Sequence, residues 1–280
     1  MIDLHCHSKK SDGSMEIWDI IEMAKNQGIT HLAITDHDTI LGISEAQKIG
    51  KNFGIEVIPG IEMSAFDYVN NKKVHILAYY IETDSKLLNS LCNLTIKMRN
   101  EDSIKIIDKL AKQGYKINLD DVQNHAKGSI CINKKHIIQT LIDKGYYRDN
   151  YNELYRDLIQ QLSTSIKYIN VQDIIRAIII SGGVPVLAHP GVFNNYKSIE
   201  KLVEFGLQGI EVEHPEHTKE DKRLCRYFSK KYDLIETGGS DFHGIYGSRR
   251  QMLGCETINI STVERLEQRN RENIKELKVV

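Results

Sequence analysis

The sequence predicts an α/β protein in which a β/α core carries an all-helical insertion. Three observations carry that prediction. Short apolar runs alternate with helix-period segments through residues 1–83, only helical spacing is found over 84–165, and the alternation resumes over 166–280. The expected organisation is a core in two parts, 1–83 and 166–280, interrupted by a helical domain at 84–165. A chain of 280 residues is long enough to bury such a core.

Taken in order, Ile2 to His7 reads as a strand, and the helix after it places Ile17, Ile20, Ile21 and Ala24 on one face. His31 to Thr35 is a second strand. A helix from about Ile43 to Phe53 stops at Gly54, because glycine accepts the left-handed conformation that ends helices. Ile55 to Ile58 then leads into Pro59-Gly60-Ile61-Glu62, and Val74 to Ile81 makes another strand. In the insertion, helical spacing falls at Leu87, Leu88, Leu91 and Leu94, at Ile137, Ile138, Leu141 and Ile142, and at Leu154, Leu158 and Leu162. Strands return as Val184 to Ala188, Gly209 to Glu213 and Leu234 to Thr237, separated by helices near 171–181, 197–205 and 218–231.

Composition narrows the function classes. With 37 basic and 38 acidic residues the formal charge is -1, which argues against a broad basic surface for long nucleic acid and leaves room for a nucleotide or a short end. Basic pairs such as Lys134-Lys135 and Arg249-Arg250 read first as solvated surface. The five cysteines are odd in number and none forms a Cys-x-x-Cys pair, so a reducing, cytoplasmic setting is expected, with no secretory signal and no apolar run long enough to span a bilayer. No obligate protein partner is evident.

The chemistry gathers where the predicted strands end, the place at which loops of parallel β/α folds converge over one mouth. His5 and His7 close the first strand, Asp36-His37-Asp38 follow the second, Glu62 the third, His189 follows Val184 to Ala188, and Asp241-Phe242-His243 follow Leu234 to Thr237. Side chains alternate across a strand, so His5 and His7 share a face that Cys6 does not. A lone His-x-His or Asp-x-His means little. The two together with His37, Glu62, His75 and His189 in one mouth point to a metal site, and Asp12, before Gly13, reads equally as a ligand or a turn residue. Mixed imidazole and carboxylate donors suit Mn, Fe or Zn. Nine candidates exceed the needs of one ion, so two or three divalent ions are expected, with Glu62 bridging neighbours about 3.5 to 4 Å apart. Such clusters hydrolyse phosphoesters by acidifying a shared water and neutralising charge on the phosphoryl oxygens. No Gly-x-Ser-x-Gly elbow, phosphate-binding Gly-Lys-Ser/Thr loop or zinc-finger spacing competes with that reading.

Read as one pattern, His5-Cys6-His7-Ser8, Ser11-Asp12-Gly13, the Gly28 to Thr39 segment, Pro59 to Ser64, Val74-His75-Ile76-Leu77, Leu187 to Pro190 and Gly239 to Gly244 closely resemble the PHP (polymerase and histidinol phosphatase) family. The resemblance covers nearly the whole chain outside the insertion. It implies a distorted seven-stranded β/α barrel and a trinuclear site, with Mn the expected metal. By analogy His5, His7, Glu62 and Asp241 would hold one ion, Glu62, His75 and His189 a second, and Asp12, His37 and His243 a third. The TDHDT segment, the insertion and Glu211-Val212-Glu213-His214-Pro215 followed by His217 resemble the stand-alone branch, whose members remove the 3′-phosphate of 3′,5′-bisphosphonucleotides or trim 5′-phosphorylated RNA from its 5′ end.

One departure concerns recognition. Where relatives commonly carry an arginine, this chain has Asn133-Lys134-Lys135-His136, and lysine supplies charge without a planar fork. Lys134 and His136 are expected either to meet a second phosphate of the substrate or to serve as a helix-terminal charge and a packing histidine. His214 and His217 are expected to protonate the leaving oxygen or to orient the substrate. Two alternatives stand beside the nucleotide reading: a phosphatase for histidinol phosphate or another small monoester, and a non-catalytic, metal-stabilised interaction module.

Overall fold

A computed structural model describes residues 1–146, 154, 158–162, 166, 168–248 and 251–278. The helical spacing expected at Leu154–Leu162 lies partly outside these residues, and the Arg249-Arg250 pair wholly so.

Eight strands are described. β1 (Ile2–Cys6), β2 (His31–Ile34) and β3 (Glu56–Val57) form a parallel three-stranded sheet. β4 (Gly60–Asp67), β5 (Lys72–Tyr79), β6 (Val184–Leu187), β7 (Gly209–Glu213) and β8 (Ile235–Gly238) form a second sheet in chain order. Its first two pairings are antiparallel and its last two parallel. The fold is thus mixed α/β, and its strands lie in two sheets that do not close into the distorted seven-stranded barrel that the resemblance implies. Single bridges join them at both seams, Cys6 to Phe242 and His37 to Glu62. The backbone gives the reason, because Asp241 (φ 49°) and Asp38 (φ 54°) are left-handed and turn the chain out of the extended geometry a ladder requires.

β4 is the strand that the sequence reading folds into a loop motif. Ile61, Met63 and Ala65 alternate with Glu62 and Ser64 at period two, but both faces are buried, so the usual apolar/polar contrast with solvent is missing. The hairpin turn to β5 is set by Asp67, whose carboxylate accepts from the backbone N–H of Val69 (2.9 Å) and Asn70 (3.1 Å). Its register pairs Glu62 with Leu77 and Ser64 with His75, which makes Glu62 and His75 diagonal neighbours on one face.

Helices cover the sheets. α1 (Ile17–Asn26) and α2 (Ile43–Phe53) flank the smaller sheet, where Ile17, Ile20, Ile21 and Ala24 pack with Leu32, Ile34 and Val57. Gly54, at φ 69°, ends α2 as expected. Residues 84–165 carry α3 (Lys86–Lys112), α4 (Leu119–His125), α5 (Lys134–Asp143) and α6 (Gln160–Leu162) among the described residues. α7 (Val171–Ile180), α8 (Pro190–Phe193), α9 (Ile199–Glu204), α10 (Lys219–Tyr232) and α11 (Ile260–Leu277) complete the chain. α11 was not anticipated from the sequence.

α3 serves two apolar clusters. Its N-terminal half gives Leu88 and Cys92 to the cluster under the larger sheet, and its C-terminal half gives Ile106, Ile107 and Leu110 to a separate one with Val122, Ile137, Ile138 and Leu141. The buried stripe therefore runs through Leu88 and Cys92, while Leu87 and Leu94, expected on it, are exposed.

Candidate metal centre

β1 delivers the first two donors. His5 and His7 are fully buried on one face, while Cys6 packs outward among Ile17, Ile20 and Ile34. Glu62 enters from β4 and occupies the middle. Its Oε2 stands 3.1 Å from His37 Nδ1, 3.2 Å from His7 Nε2 and 3.4 Å from His5 Nε2. Its Oε1 takes His75 Nδ1 at 2.7 Å and His189 Nε2 at 2.9 Å. One carboxylate thus faces two sets of imidazoles with different oxygens.

Asp241 and Asp12 extend the cluster. Asp241 Oδ1 lies 3.2 Å from His7 Nε2 and 3.4 Å from His5 Nε2, and Asp12 Oδ1 lies 3.2 Å from His243 Nε2. The donor atoms fall into three overlapping groups: His5, His7, Glu62 and Asp241; His37, Glu62 and His75; and His7, Asp12, His37 and His243. The grouping differs from the one implied by resemblance in that His7 and His37 each serve twice and His189, though 2.9 Å from Glu62 Oε1, joins none of the three.

These groups fit a bound cation on two counts. Two ligands about 2.1 Å from one ion stand roughly 3.0–3.4 Å apart, the spacing found here. Moreover His5 Nε2, both nitrogens of His7, His37 Nδ1, His75 Nε2, His189 Nδ1 and His243 Nε2 are buried without a hydrogen-bond partner. Leaving a buried polar atom unpaired costs on the order of 1–3 kcal/mol, so the orphans that face the carboxylates, at His5 Nε2, His7 Nε2, His37 Nδ1 and His243 Nε2, call for a shared partner. Charge distribution agrees. Burial opposes ionisation of Glu62, yet the surrounding imidazoles hold its carboxyl well below the ordinary range. Burial likewise opposes charging of His7, but Asp241 and Glu62 push it up to about 9. His75 is pushed down to about 3, by burial first and then by Lys73.

Supporting residues lock the loops. Asp36 is a clamp rather than a cluster member, accepting from Ser8 N–H (2.8 Å), Ser8 Oγ (2.5 Å) and Ser11 Oγ (2.6 Å). Asp38 accepts from Ser64 N–H (2.8 Å) and Arg99 Nε (2.9 Å). Asp38, His189 (φ 25°) and Asp241 all hold left-handed backbones without being glycine, a strain of order 1–3 kcal/mol each that the surrounding bonds must offset.

The other expected contacts divide. His214 lines the cavity above the cluster and reaches Asp241 Oδ2 at 3.4 Å. His217 has both ring nitrogens engaged in the fold, Nδ1 with Val212 O (3.0 Å) and Nε2 accepting from Gly191 N–H (3.2 Å). Lys134 lines the cavity and pairs with Asp102 at 3.4 Å. His136 is buried away from it, its Nδ1 capping α5 by accepting from Asn133 N–H at 3.1 Å. Three residues the sequence did not single out belong beside the site. Lys73 and Arg99 line the same cavity, of about 420 Å³. Glu211 supports His5 from behind at 2.9 Å, and an acid amid Ile210 and Val212 in an apolar strand was the available signal.

The chain belongs to the PHP domain family, whose pattern matches residues 3–174. It is a metal-dependent phosphoester hydrolase by kinship with several curated enzymes. It is 38% identical, over 88% of this chain and 95% of the relative, to the phosphoribosyl 1,2-cyclic phosphate 1,2-diphosphodiesterase of Eggerthella lenta. It is 31% identical to a 5′-3′ exoribonuclease of Haemophilus influenzae, over 86% of this chain and 89% of the relative. It is 28% identical to a 3′,5′-nucleoside bisphosphate phosphatase of Chromobacterium violaceum, over 86% and 87%. Among solved structures, a candidate metal-dependent phosphoesterase from Bifidobacterium adolescentis superposes with a TM-score of 0.89 at 27% identity, covering 96% of both chains.

Proposed function

We propose that the nine residues His5, His7, Asp12, His37, Glu62, His75, His189, Asp241 and His243 form a catalytic metal centre that cleaves phosphoesters at nucleotide ends. The observation that carries the reading is Glu62, whose two oxygens serve separate sets of imidazoles as a bridging carboxylate would. His5, His7, Glu62 and Asp241 would hold one ion, His37, Glu62, His75 and His189 a second, and His7, Asp12, His37 and His243 a third. Mn is the expected metal, with Fe and Zn also suited to the donors. Such ions supply Lewis acidity, acidifying water and neutralising phosphoryl charge.

The chain's own groups do the rest. His214, beside Asp241 at the cavity wall, is placed to deliver a proton to the leaving oxygen, whereas His217 is committed to the backbone. Lys73, Arg99 and Lys134 line the cavity that holds the cluster, and that supports a substrate with a second negative group. Lys73 makes no ion pair among the described residues; its ammonium lies over the rings of Phe193 (5.3 Å) and Tyr168 (5.6 Å). The leading substrates are 3′,5′-bisphosphonucleotides, losing the 3′-phosphate, and short 5′-phosphorylated RNA. A cyclic phosphodiester of phosphoribose is the second reading, favoured by the 38% identity to an enzyme named for it. Residues 84–165 are proposed as a helical insertion, supported by an apolar cluster that draws only on residues 106–162. A cytoplasmic setting is supported by five free cysteines, and no helix among the described residues is long and apolar enough to cross a membrane.

A phosphoester panel assayed with Mn²⁺ tests the assignment. Phosphate or nucleotide release from a 3′,5′-bisphosphonucleotide or a 5′-phosphorylated oligoribonucleotide is expected. Turnover of phosphoribosyl 1,2-cyclic phosphate alone moves the assignment to the second reading. Turnover of histidinol phosphate alone overturns both, and metal-loaded protein inert on every ester points to the non-catalytic module.

A further inference from the structure

Glu211 sits in β7 between Ile210 and Val212, which are buried in the apolar cluster under the larger sheet, and its own side chain is 0% exposed. Its side chain lies on the face opposite those two, and a carboxylate so fully buried is tolerated only when its oxygens are hydrogen-bonded. Each has one partner from a different strand end. Oε1 accepts from His5 Nδ1 at 2.9 Å, and Oε2 accepts from the backbone N–H of His189 at 2.8 Å.

Both partners need holding. His5 contributes to the cluster through Nε2, which has no hydrogen-bond partner and stands 3.4 Å from Glu62 and from Asp241. An imidazole offers a lone pair at Nε2 only if its proton is on Nδ1, and an unsupported ring would populate both tautomers and several rotamers. His189 holds a backbone at φ 25°, outside the regions that non-glycine residues prefer, at the junction of β6 and α8. Two bonds hold it there: the Val192 N–H donates to His189 O at 3.0 Å within the loop, and the His189 N–H donates to the buried Glu211 from outside it.

We propose that Glu211 is a positioning residue of the metal centre: it fixes His5 as the Nδ1-protonated, Nε2-ligating tautomer and pins the strained His189 turn, so that donors from β1 and β6 meet in one geometry. The inference rests on the metal-centre reading. It identifies one carboxylate that orders two ligands without touching substrate or ion.

Glu211→Gln separates the roles, because an amide has one oxygen where the carboxylate has two. If that oxygen serves His189 N–H, the amide N–H₂ faces His5 Nδ1 and drives its proton to Nε2, removing the ligating lone pair. If it serves His5, a donor meets the His189 N–H. Apo protein titrated with Mn²⁺ by calorimetry is expected to bind roughly 10- to 100-fold more weakly in Glu211→Gln, and Glu211→Asp, too short to span both partners, should fall between. A purely structural acid would lower the apo melting temperature of both variants and leave Mn²⁺ affinity unchanged, which overturns the proposal. A measurement on the unaltered protein removes any dependence on variant folding. In the ¹⁵N-histidine spectrum of Zn²⁺-loaded enzyme, His5 is expected to show a protonated Nδ1 and a metal-bound Nε2, and the opposite assignment also overturns it. His5→Ala distinguishes this failure from that of the centre itself, since undiminished Mn²⁺ binding there would discard the metal-centre reading rather than the role of Glu211.

Discussion

Replacing Glu62 by glutamine tests the centre at its middle with almost no change in shape. The carboxylate offers oxygens to five imidazole nitrogens between 2.7 and 3.4 Å away. Glutamine keeps one oxygen and turns two N–H donors toward the other set. If the oxygen stays with His75 and His189, the amide nitrogen confronts His5, His7 and His37, and the reverse orientation exposes the other pair. If Glu62 bridges two ions as proposed, either orientation would cost one of them an anionic ligand and weaken the hold on the other. Outer-shell substitutions alone weaken metal binding roughly 10- to 100-fold, so loss of an inner ligand should cost at least the upper end, about 2.8 kcal/mol at the more affected position. The assay is metal content by mass spectrometry after dialysis against graded free Mn²⁺, with phosphate release measured on the same samples. Glu62→Gln should hold fewer ions at every free concentration and lose hydrolysis by 10³-fold or so, as expected where two cations act together. Full ion content at unchanged affinity in Glu62→Gln would refute the bridging role, whatever happened to the rate.

Three further outcomes follow from the surrounding residues. His214→Ala should lower kcat with little change in melting temperature, whereas His217→Ala, which strands the Val212 carbonyl and the Gly191 N–H, should lose roughly 1–3 kcal/mol of stability in a denaturant titration and keep KM near normal. Lys73→Met should raise KM for a bisphosphorylated nucleotide about 10- to 100-fold, the worth of a charge-assisted bond, and barely alter KM for p-nitrophenyl phosphate, which has no second anion. Asp67→Asn tests the β4–β5 turn. Burial opposes ionisation of Asp67, but the backbone and side-chain donors facing it lower its pKa below 3.8. A depressed folded pKa means the stabilisation is present above the unfolded value and vanishes as pH falls through the folded one. The stability gap between the native protein and Asp67→Asn should therefore be full near pH 7 and close in acid below pH 3.8, as read by urea midpoints across pH.

Periodicity made the helices flanking the small sheet legible, since the stripe of Ile17, Ile20, Ile21 and Ala24 is the buried stripe of α1. It misjudged α3 because that helix answers to two apolar clusters along its length, so no single face is buried throughout. β4 is missed although Ile61, Met63 and Ala65 alternate with Glu62 and Ser64, since the sequence reading puts Glu62 after a strand rather than within one. At the site, residue type and chain position were enough to nominate histidines and carboxylates, which have few reasons to recur at strand ends. Asp12 and Asp241, among the nine candidates, face imidazoles, whereas Asp36 and Asp38, outside them, accept from serine hydroxyls, an arginine and the backbone amides of Ser8 and Ser64. That difference lies in which loops are clamped together, and it is set by contacts distant in sequence.

The helices of residues 84–165 illustrate the same point from the other side. Arg99, in α3, donates to Asp38 (2.9 Å), to Ser64 Oγ (2.6 Å) and to Asn133 Oδ1 (3.3 Å), so one guanidinium ties the loop after β2, the strand that carries Glu62 and the start of α5. Asn133 Nδ2 donates to Ser11 O at 3.0 Å, Ile130 N–H donates to Lys10 O at 3.0 Å, and Lys135 pairs with Asp12 at 3.2 Å. The loop that presents Asp12 is thus shaped by residues more than a hundred positions away. A largely buried arginine with three partners is costly to desolvate and pays its way only where geometry must be exact in more than one loop at once. On this ground the helical segment belongs to the construction of the centre, and its cations face the cavity because the same helices that brace the ligands also form its wall.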